Sequence, residues 1–200
     1  MLWKEQAPDV TIHALGTAMR RLDCGSAMRL HANIAHGHWL YISPACAADV
    51  DAHVASDRDE VGGLLLGEVW ARMREGQVSG QPVVWVRASL ASEKYRNSRT
   101  SLEMGTEIWD RARARSPELA VVGWYHSHPN LGAFFSGTDR RTQRAFFSQR
   151  YSVGWVIDPV RKEERVFAGG DSDEYFGTIS LTDLPAAPAA CGAARVPISV

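Results

Sequence analysis

Within Gly123-Trp-Tyr-His-Ser-His-Pro-Asn-Leu-Gly-Ala-Phe-Phe-Ser-Gly-Thr-Asp139 the chain places two imidazoles, His126 and His128, a hydroxyl, Ser136, and a carboxylate, Asp139. Two neutral nitrogens and one anionic oxygen, with no thiolate, suit a catalytic zinc, which keeps its fourth position for water. A structural zinc would normally close its shell with cysteines, and none lies near this segment. The chemistry indicated is hydrolysis by a metal-activated water.

The order of elements around the segment shows how it is positioned. Leu119 to His126 is an apolar run that reads as a buried strand ending at the first histidine. Residues two apart on an extended chain share a side, so both rings can converge on one ion. Pro129 biases His128 toward the extended region. Thr138 is expected to cap a helix from Asp139 to about Gln149.

Upstream, Val10 to Leu15 reads as a short strand and Thr17 to Leu22 as half a helix. Trp39 to Ser43 reads as a strand, and Ser43-Pro44 as the start of a helix to about Ser56, with Ser as N-cap and Pro at its first position. Glu60-Val-Gly-Gly-Leu-Leu-Leu-Gly-Glu-Val-Trp70 and Pro82 to Ser89 are strands, and Thr106 to Arg115 is a helix. Tyr151 to Ile157 and Glu164 to Ala168 close the series. Strands with flanking helices fit an α/β sandwich. The expected division is an N-terminal extension over 1–37, a catalytic domain over 38–170 and a partly flexible Ala/Pro-rich tail over 171–200.

Composition narrows the class. The chain has 200 residues, 45% hydrophobic and 22% charged, with a formal net charge of −1. That balance is ordinary for a globular protein and gives no electrostatic reason to expect nucleic acid or an anionic membrane. Cys24, Cys46 and Cys191 are odd in number and far apart, arguing for a reducing compartment. With no signal peptide or membrane span visible, a cytoplasmic protein is expected. Of the 7 Trp, most should lie in the core, and an exposed subset could line a binding groove.

The same His-His-Asp spacing occurs a second time, in His36-Gly-His38 followed by Asp49, with Cys46 in place of the serine. These histidines precede a strand, and Asp49 falls inside the following helix. Solvated histidines are the better reading of that copy.

The segments Glu60-Val-Gly-Gly-Leu-Leu-Leu-Gly and Val121-Val-Gly-Trp-Tyr-His-Ser-His-Pro, with Ser136 and Asp139, resemble the JAMM/MPN+ zinc metalloprotease family. The likeness is strongest to its proteasome-lid and signalosome isopeptidase subunits, and it runs from about Trp39 to Ala168. It implies an α/β fold, the cytidine-deaminase-like MPN sandwich, with a central, mostly antiparallel curved sheet flanked by helices. It implies one Zn2+ per chain on His126, His128 and Asp139. The family's general base maps to Glu60 and its oxyanion-stabilising serine to Ser136. On chemistry alone Asp59 and Glu68 compete with Glu60, and Ser136 also reads as a turn or cap residue. The cysteines are not nucleophile candidates, because this chemistry needs no covalent intermediate.

In the family the bond cut follows the terminal Gly-Gly of ubiquitin or a ubiquitin-like protein. The resemblance therefore implies a ubiquitin-like protein or its conjugates as substrate, and E1/E2-like enzymes of the same pathway as partners. Gly62 and Gly63 are expected to leave room for a narrow di-glycine channel, and Ser92 to Met104 to contact the substrate tail. The unmatched N-terminal segment and the short C-terminal one lead to the expectation of a stand-alone prokaryotic deubiquitinase-like enzyme, in an antiviral defence operon by analogy. Two alternatives stay open: a peptidase processing a ubiquitin-like or sulfur-carrier precursor, and a non-catalytic scaffold.

Overall fold

The computed structural model describes residues 10–92, 107–177 and 179–182. Its strands are β1 (Ile12–Ala14), β2 (Leu40–Ile42), β3 (Gly62–Arg74), β4 (Gln77–Ala91), β5 (Ala120–Ser127), β6 (Val153–Asp158), β7 (Glu163–Ala168), β8 (Asp173–Glu174) and β9 (Ser180–Leu181). The helices are α1 (Leu15–Met19), α2 (Cys24–Ala35), α3 (Pro44–Ala55), α4 (Glu107–Arg115) and α5 (Gly137–Phe146).

One mixed sheet runs in the order β8-β7-β6-β5-β3-β4-β2-β9, with β1 pairing β3 beside this path. Its longest ladder, β3 with β4, is antiparallel, as are β3–β5, β6–β7 and β7–β8. The β5–β6, β2–β4, β2–β9 and β1–β3 ladders are parallel. Register shifts at Leu66/Gly67 and Trp70/Arg72 mark bulges, which bend a strand and increase its twist.

Successive side chains of β3 alternate between two cores, as the strand period requires. Leu65 and Val69 join the cluster under α3, with Val50, Val54, Val86 and Tyr125. Leu64 and Leu66 join Ile108 and Ala112 of α4, Trp124, Phe135 and Phe147 on the other face. α3 begins as expected: the Ser43 side chain accepts from the Cys46 backbone and Pro44 opens the first turn.

The segments on either side of the expected domain are joined to the sheet. β1 pairs with Val69 to Ala71, and β9 pairs with Tyr41 and Ile42. Leu15, Ala18 and Leu30 pack with Tyr41, Trp70 and Trp85 in a third cluster. The helix α2, capped by Asp23, has no counterpart in the sequence reading. One expectation is corrected. α5 starts under Ser136 rather than Thr138 and ends at Phe146 rather than near Gln149. No tryptophan is exposed among the described residues, since Trp39 and Trp109 are half-buried and Trp70, Trp85, Trp124 and Trp155 are buried. No described helix is long and apolar enough to cross a membrane.

Candidate metal centre

The C-terminal end of β5 delivers both histidines. His126 pairs with Gly62 on one side and Val156 on the other. The His128 backbone donates to the Ile157 carbonyl at 2.9 Å, extending the parallel pairing past the strand end. Both rings therefore project from one side, and their Nε2 atoms come within 3.2 Å.

Trp124, two residues earlier on the same face, lies flat against His126 with 4.6 Å between ring centroids and 8° between planes. The indole is itself held, since its Nε1 donates to Gln143 Oε1 at 2.7 Å. Gln143 in turn donates to the Phe147 and Ser152 carbonyls. Gly154 permits this arrangement, because a Cβ there would stand 2.3 Å from Phe135 and 3.0 Å from both Gln143 Oε1 and Trp124 Nε1.

Asp139 enters from the first turn of α5. Ser136 and Asp139 form a capping box: the Ser136 backbone donates to Asp139 Oδ2 at 2.6 Å, and the Asp139 backbone donates to Ser136 Oγ at 3.2 Å. Such a box satisfies two otherwise orphaned donors and locks the carboxylate's direction. Asp139 Oδ1 lies 3.4 Å from His126 Nε2, and Oδ2 lies 3.7 Å from His128 Nε2.

Glu60 approaches from the segment before β3, its Oε1 3.5 Å from His128 Nε2 and 3.9 Å from His126 Nε2. Its side chain is 26% exposed, against 5% for that of Asp139, so it faces the open side of the cluster. The two competitors are elsewhere. Glu68 is buried between Arg87 Nη1 at 3.2 Å and the Trp70 Nε1 donor at 3.3 Å, and Asp59 is exposed.

The donor set fits a metal. One ligand atom from each of Glu60, His126, His128 and Asp139 lies within 4.8 Å of the others. Two imidazole nitrogens and two carboxylates facing one another repel unless a proton or a cation sits among them. The 3.2 Å and 3.4 Å separations from His126 Nε2 match the ~3.3–3.4 Å edge of a tetrahedron whose metal–nitrogen bonds are ~2.0–2.1 Å. In the metal-free protein the same field acts on protons. Burial opposes charging the His128 ring, but Glu60, Asp139 and the Gly132 backbone outweigh it and raise its pKa. Burial likewise opposes ionising Asp139, but His126 and Ser136 outweigh it and lower its pKa.

His36, His38, Asp49 and Cys46 form no such group among the described residues. His36 ends α2 with its ring on the Ala32 carbonyl, Asp49 is exposed, and burial first, with the Asp49 charge, pushes the Cys46 thiol up to about 12. Gly63 does not line the metal side. It pairs with Tyr125, whose ring lies on the opposite face of β5 from His126, and a Cβ at Gly63 would stand 2.9 Å from that ring and 2.3 Å from the Leu90 carbonyl. The glycine serves the packing of three strands. Beyond Ser92, the segment to Met104 lies outside the described residues.

One organising residue was not read from the sequence. Asp158, wholly buried at the end of β6, accepts from the backbones of Asn130, Gly132, Val160 and Arg161 at 2.7–3.0 Å. It ties the loop after His128 to the β6–β7 turn. The signal was an Asp at a strand end, followed by Pro, beside the metal strand.

The profile describing prokaryotic homologues of the JAB domain matches residues 44–168, more than half of the chain. The chain belongs to this JAB-domain family. Among curated JAB relatives, 47 residues are 51% identical to the 26S proteasome non-ATPase regulatory subunit 14 of Drosophila melanogaster, covering 22% of this chain and 15% of that protein. Another 111-residue match is 31% identical to the Lys-63-specific deubiquitinase BRCC36 of Xenopus tropicalis, covering 52% of this chain and 38% of that protein. The JAB chain thus spans well under half the length of these relatives. The solution structure of a protein from Desulfitobacterium hafniense shares the fold, at TM-score 0.52 and 19% identity over 72% of this chain and 94% of that one.

Proposed function

We propose that this chain is a zinc-dependent isopeptidase that hydrolyses the bond after the C-terminal glycine of a ubiquitin-like protein. The observation supporting this reading most strongly is the convergence of Glu60, His126, His128 and Asp139 within 4.8 Å, in a family whose curated relatives include a deubiquitinase.

His126, His128 and Asp139 would hold the zinc through two nitrogens and one carboxylate oxygen. When bound, the zinc supplies Lewis acidity and lowers the pKa of an associated water toward ~7. Glu60, the more exposed carboxylate, takes the water's proton as its oxygen attacks the carbonyl carbon. It then delivers that proton to the departing lysine amine. Ser136 Oγ accepts from Asp139 through a lone pair, so its own proton remains available to the carbonyl oxygen where charge develops. A donor of this kind is worth ~3–4 kcal/mol in the transition state. E1/E2-like enzymes would be pathway partners, and a cytoplasmic location rests on the number and spacing of the cysteines.

The test uses the zinc-loaded protein and two substrates with one ubiquitin-like moiety. One is joined through a lysine side-chain amine, the other extended linearly at its C-terminus. Release of the intact Gly-terminated moiety from the lysine-linked substrate, read by mass spectrometry, is the expected result. Cleavage of the linear extension alone would favour the processing peptidase. Zinc binding without cleavage of either, across a panel of ubiquitin-like proteins, would favour the scaffold.

A further inference from the structure

β5 and the residue that follows it carry Trp124, His126 and His128 on one side, with Tyr125 and Ser127 between them. The two intervening side chains bond to the two ends of the stretch that leads from α3 through Glu60 to β3. The Ser127 hydroxyl accepts from the Val61 backbone at 3.0 Å, and the Ser127 backbone donates to the Val61 carbonyl at 2.8 Å. Val61 directly follows Glu60. On the other flank, the fully buried Tyr125 hydroxyl shares a 2.8 Å hydrogen bond with His53 Nδ1, the rings meeting edge to face at 84°.

His53 lies in the last turn of α3, and that turn is closed on it: both the backbone and the side chain of Ser56 donate to the His53 carbonyl. Asp57 then accepts from the Asp59 backbone. The segment between α3 and β3 is thus short, internally bonded and anchored at each end to β5. Its two anchors flank His126 in sequence, at Tyr125 and Ser127. No hydrogen bond to Glu60 itself is needed to set its distance from the imidazoles if the chain on both sides is fixed to the strand that carries one of them.

We propose that His53 and Tyr125, together with Ser127, are positioning residues for Glu60, holding it at the metal face of β5 from the opposite face. This inference rests on the reading of Glu60 as general base. The Tyr125 ring and its hydroxyl both lie over Gly63, each 2.9 Å from where a Cβ there would stand. Its hydroxyl is explained by the bond to His53. A general base displaced by a fraction of an ångström loses rate in the chemical step and not in substrate binding.

The experiment compares wild type with Tyr125→Phe, His53→Leu and His53→Asn, all zinc-loaded, on the lysine-linked substrate. Asn retains an acceptor near the place of Nδ1. Tyr125→Phe and His53→Leu should each lower kcat about tenfold or more at unchanged KM and unchanged zinc content, because misplacement acts on the transition state. His53→Asn should recover most of that loss. A second readout needs no substrate: crystal structures of the zinc-loaded variants are compared with that of wild type. Tyr125→Phe should move the Glu60 carboxylate away from the imidazoles, while His53→Asn should leave it in its wild-type place. If wild type cleaves nothing, the isopeptidase reading fails while the position of Glu60 in these structures still decides the positioning role. Lower thermal stability with kcat, KM and the Glu60 position all unchanged would make the pair merely structural and overturn the proposal.

Discussion

Trp124 and His126 are stacked almost parallel, 4.6 Å apart, with neither ring exposed to solvent. The indole fixes the plane of the His126 ring by filling the space on one side of it. Its hydrogen bond to Gln143 fixes its own plane and joins it to the helix that carries Asp139. The candidate metal face is therefore held by packing within the protein itself.

Trp124→Leu should cost about 3 kcal/mol or more in urea unfolding, because a large buried ring leaves a cavity and Gln143 loses a donor. It should also weaken zinc binding in chelator competition. Gln143→Leu should weaken zinc binding less, since the ring stays in place. Equal zinc affinity in wild type and Trp124→Leu would show that the stack does not orient His126.

Asp158 should behave as a structural carboxylate. Burial opposes its charge, but four backbone donors outweigh this and lower its pKa. A carboxyl with a depressed folded pKa contributes stability above its unfolded pKa, and that stability is lost as pH falls through the folded value. Asp158→Asn should therefore lower stability near neutrality by about 2 kcal/mol, through loss of charge-assisted bonds. The gap from wild type should narrow below pH ~4. Urea unfolding at several pH values checks this, and a gap constant down to pH 3 would contradict it.

Zinc affinity should fall with acidity earlier than an ordinary histidine would require. The pKa of His128 in the metal-free protein is raised by Glu60, Asp139 and the Gly132 backbone despite burial. A proton on its ring competes with the ion, so affinity is lost as pH falls through a value above ~6.5. In the metal-free protein the sign reverses: the protonated ring adds stability at low pH that is lost as pH rises through the folded value. Competition titrations against pH measure the first effect. Affinity constant from pH 8 to 6 would exclude it.

The repeated His-His-Asp spacing allows a direct comparison within one chain. His126→Ala/His128→Ala should abolish zinc binding, while His36→Ala/His38→Ala should retain one zinc per chain by metal analysis. The opposite pattern would move the site to the second copy.

Three members of the candidate metal cluster were legible because they are local: a strand end, a two-residue spacing and a nearby helix start bring His126, His128 and Asp139 together. Glu60 was legible only through family resemblance, since β3–β5 pairing across a long sequence separation brings it to the histidines. The α5 cap was misread because both Ser136 and Thr138 offer hydroxyls, and the capping box with Asp139 decides for Ser136. α2 was missed because Leu30 is its one fully buried residue, which leaves little apolar periodicity to detect. Gly62 and Gly63 were read together as room for one channel, and only the β3–β5 register separates them, pairing Gly62 with His126 and Gly63 with Tyr125. The anchoring of Glu60 by His53, Tyr125 and Ser127 has no sequence signature at all.

The most direct test of a Glu60 general base compares zinc-loaded wild type with Glu60→Gln on the lysine-linked ubiquitin-like substrate. Glutamine keeps the shape and removes the proton acceptor. Zinc content and unfolding midpoint should match wild type while kcat falls by about 10²-fold or more, the range such catalysis contributes. Turnover within about tenfold of wild type, with zinc retained, would remove Glu60 from the chemistry and with it the proposed hydrolytic mechanism.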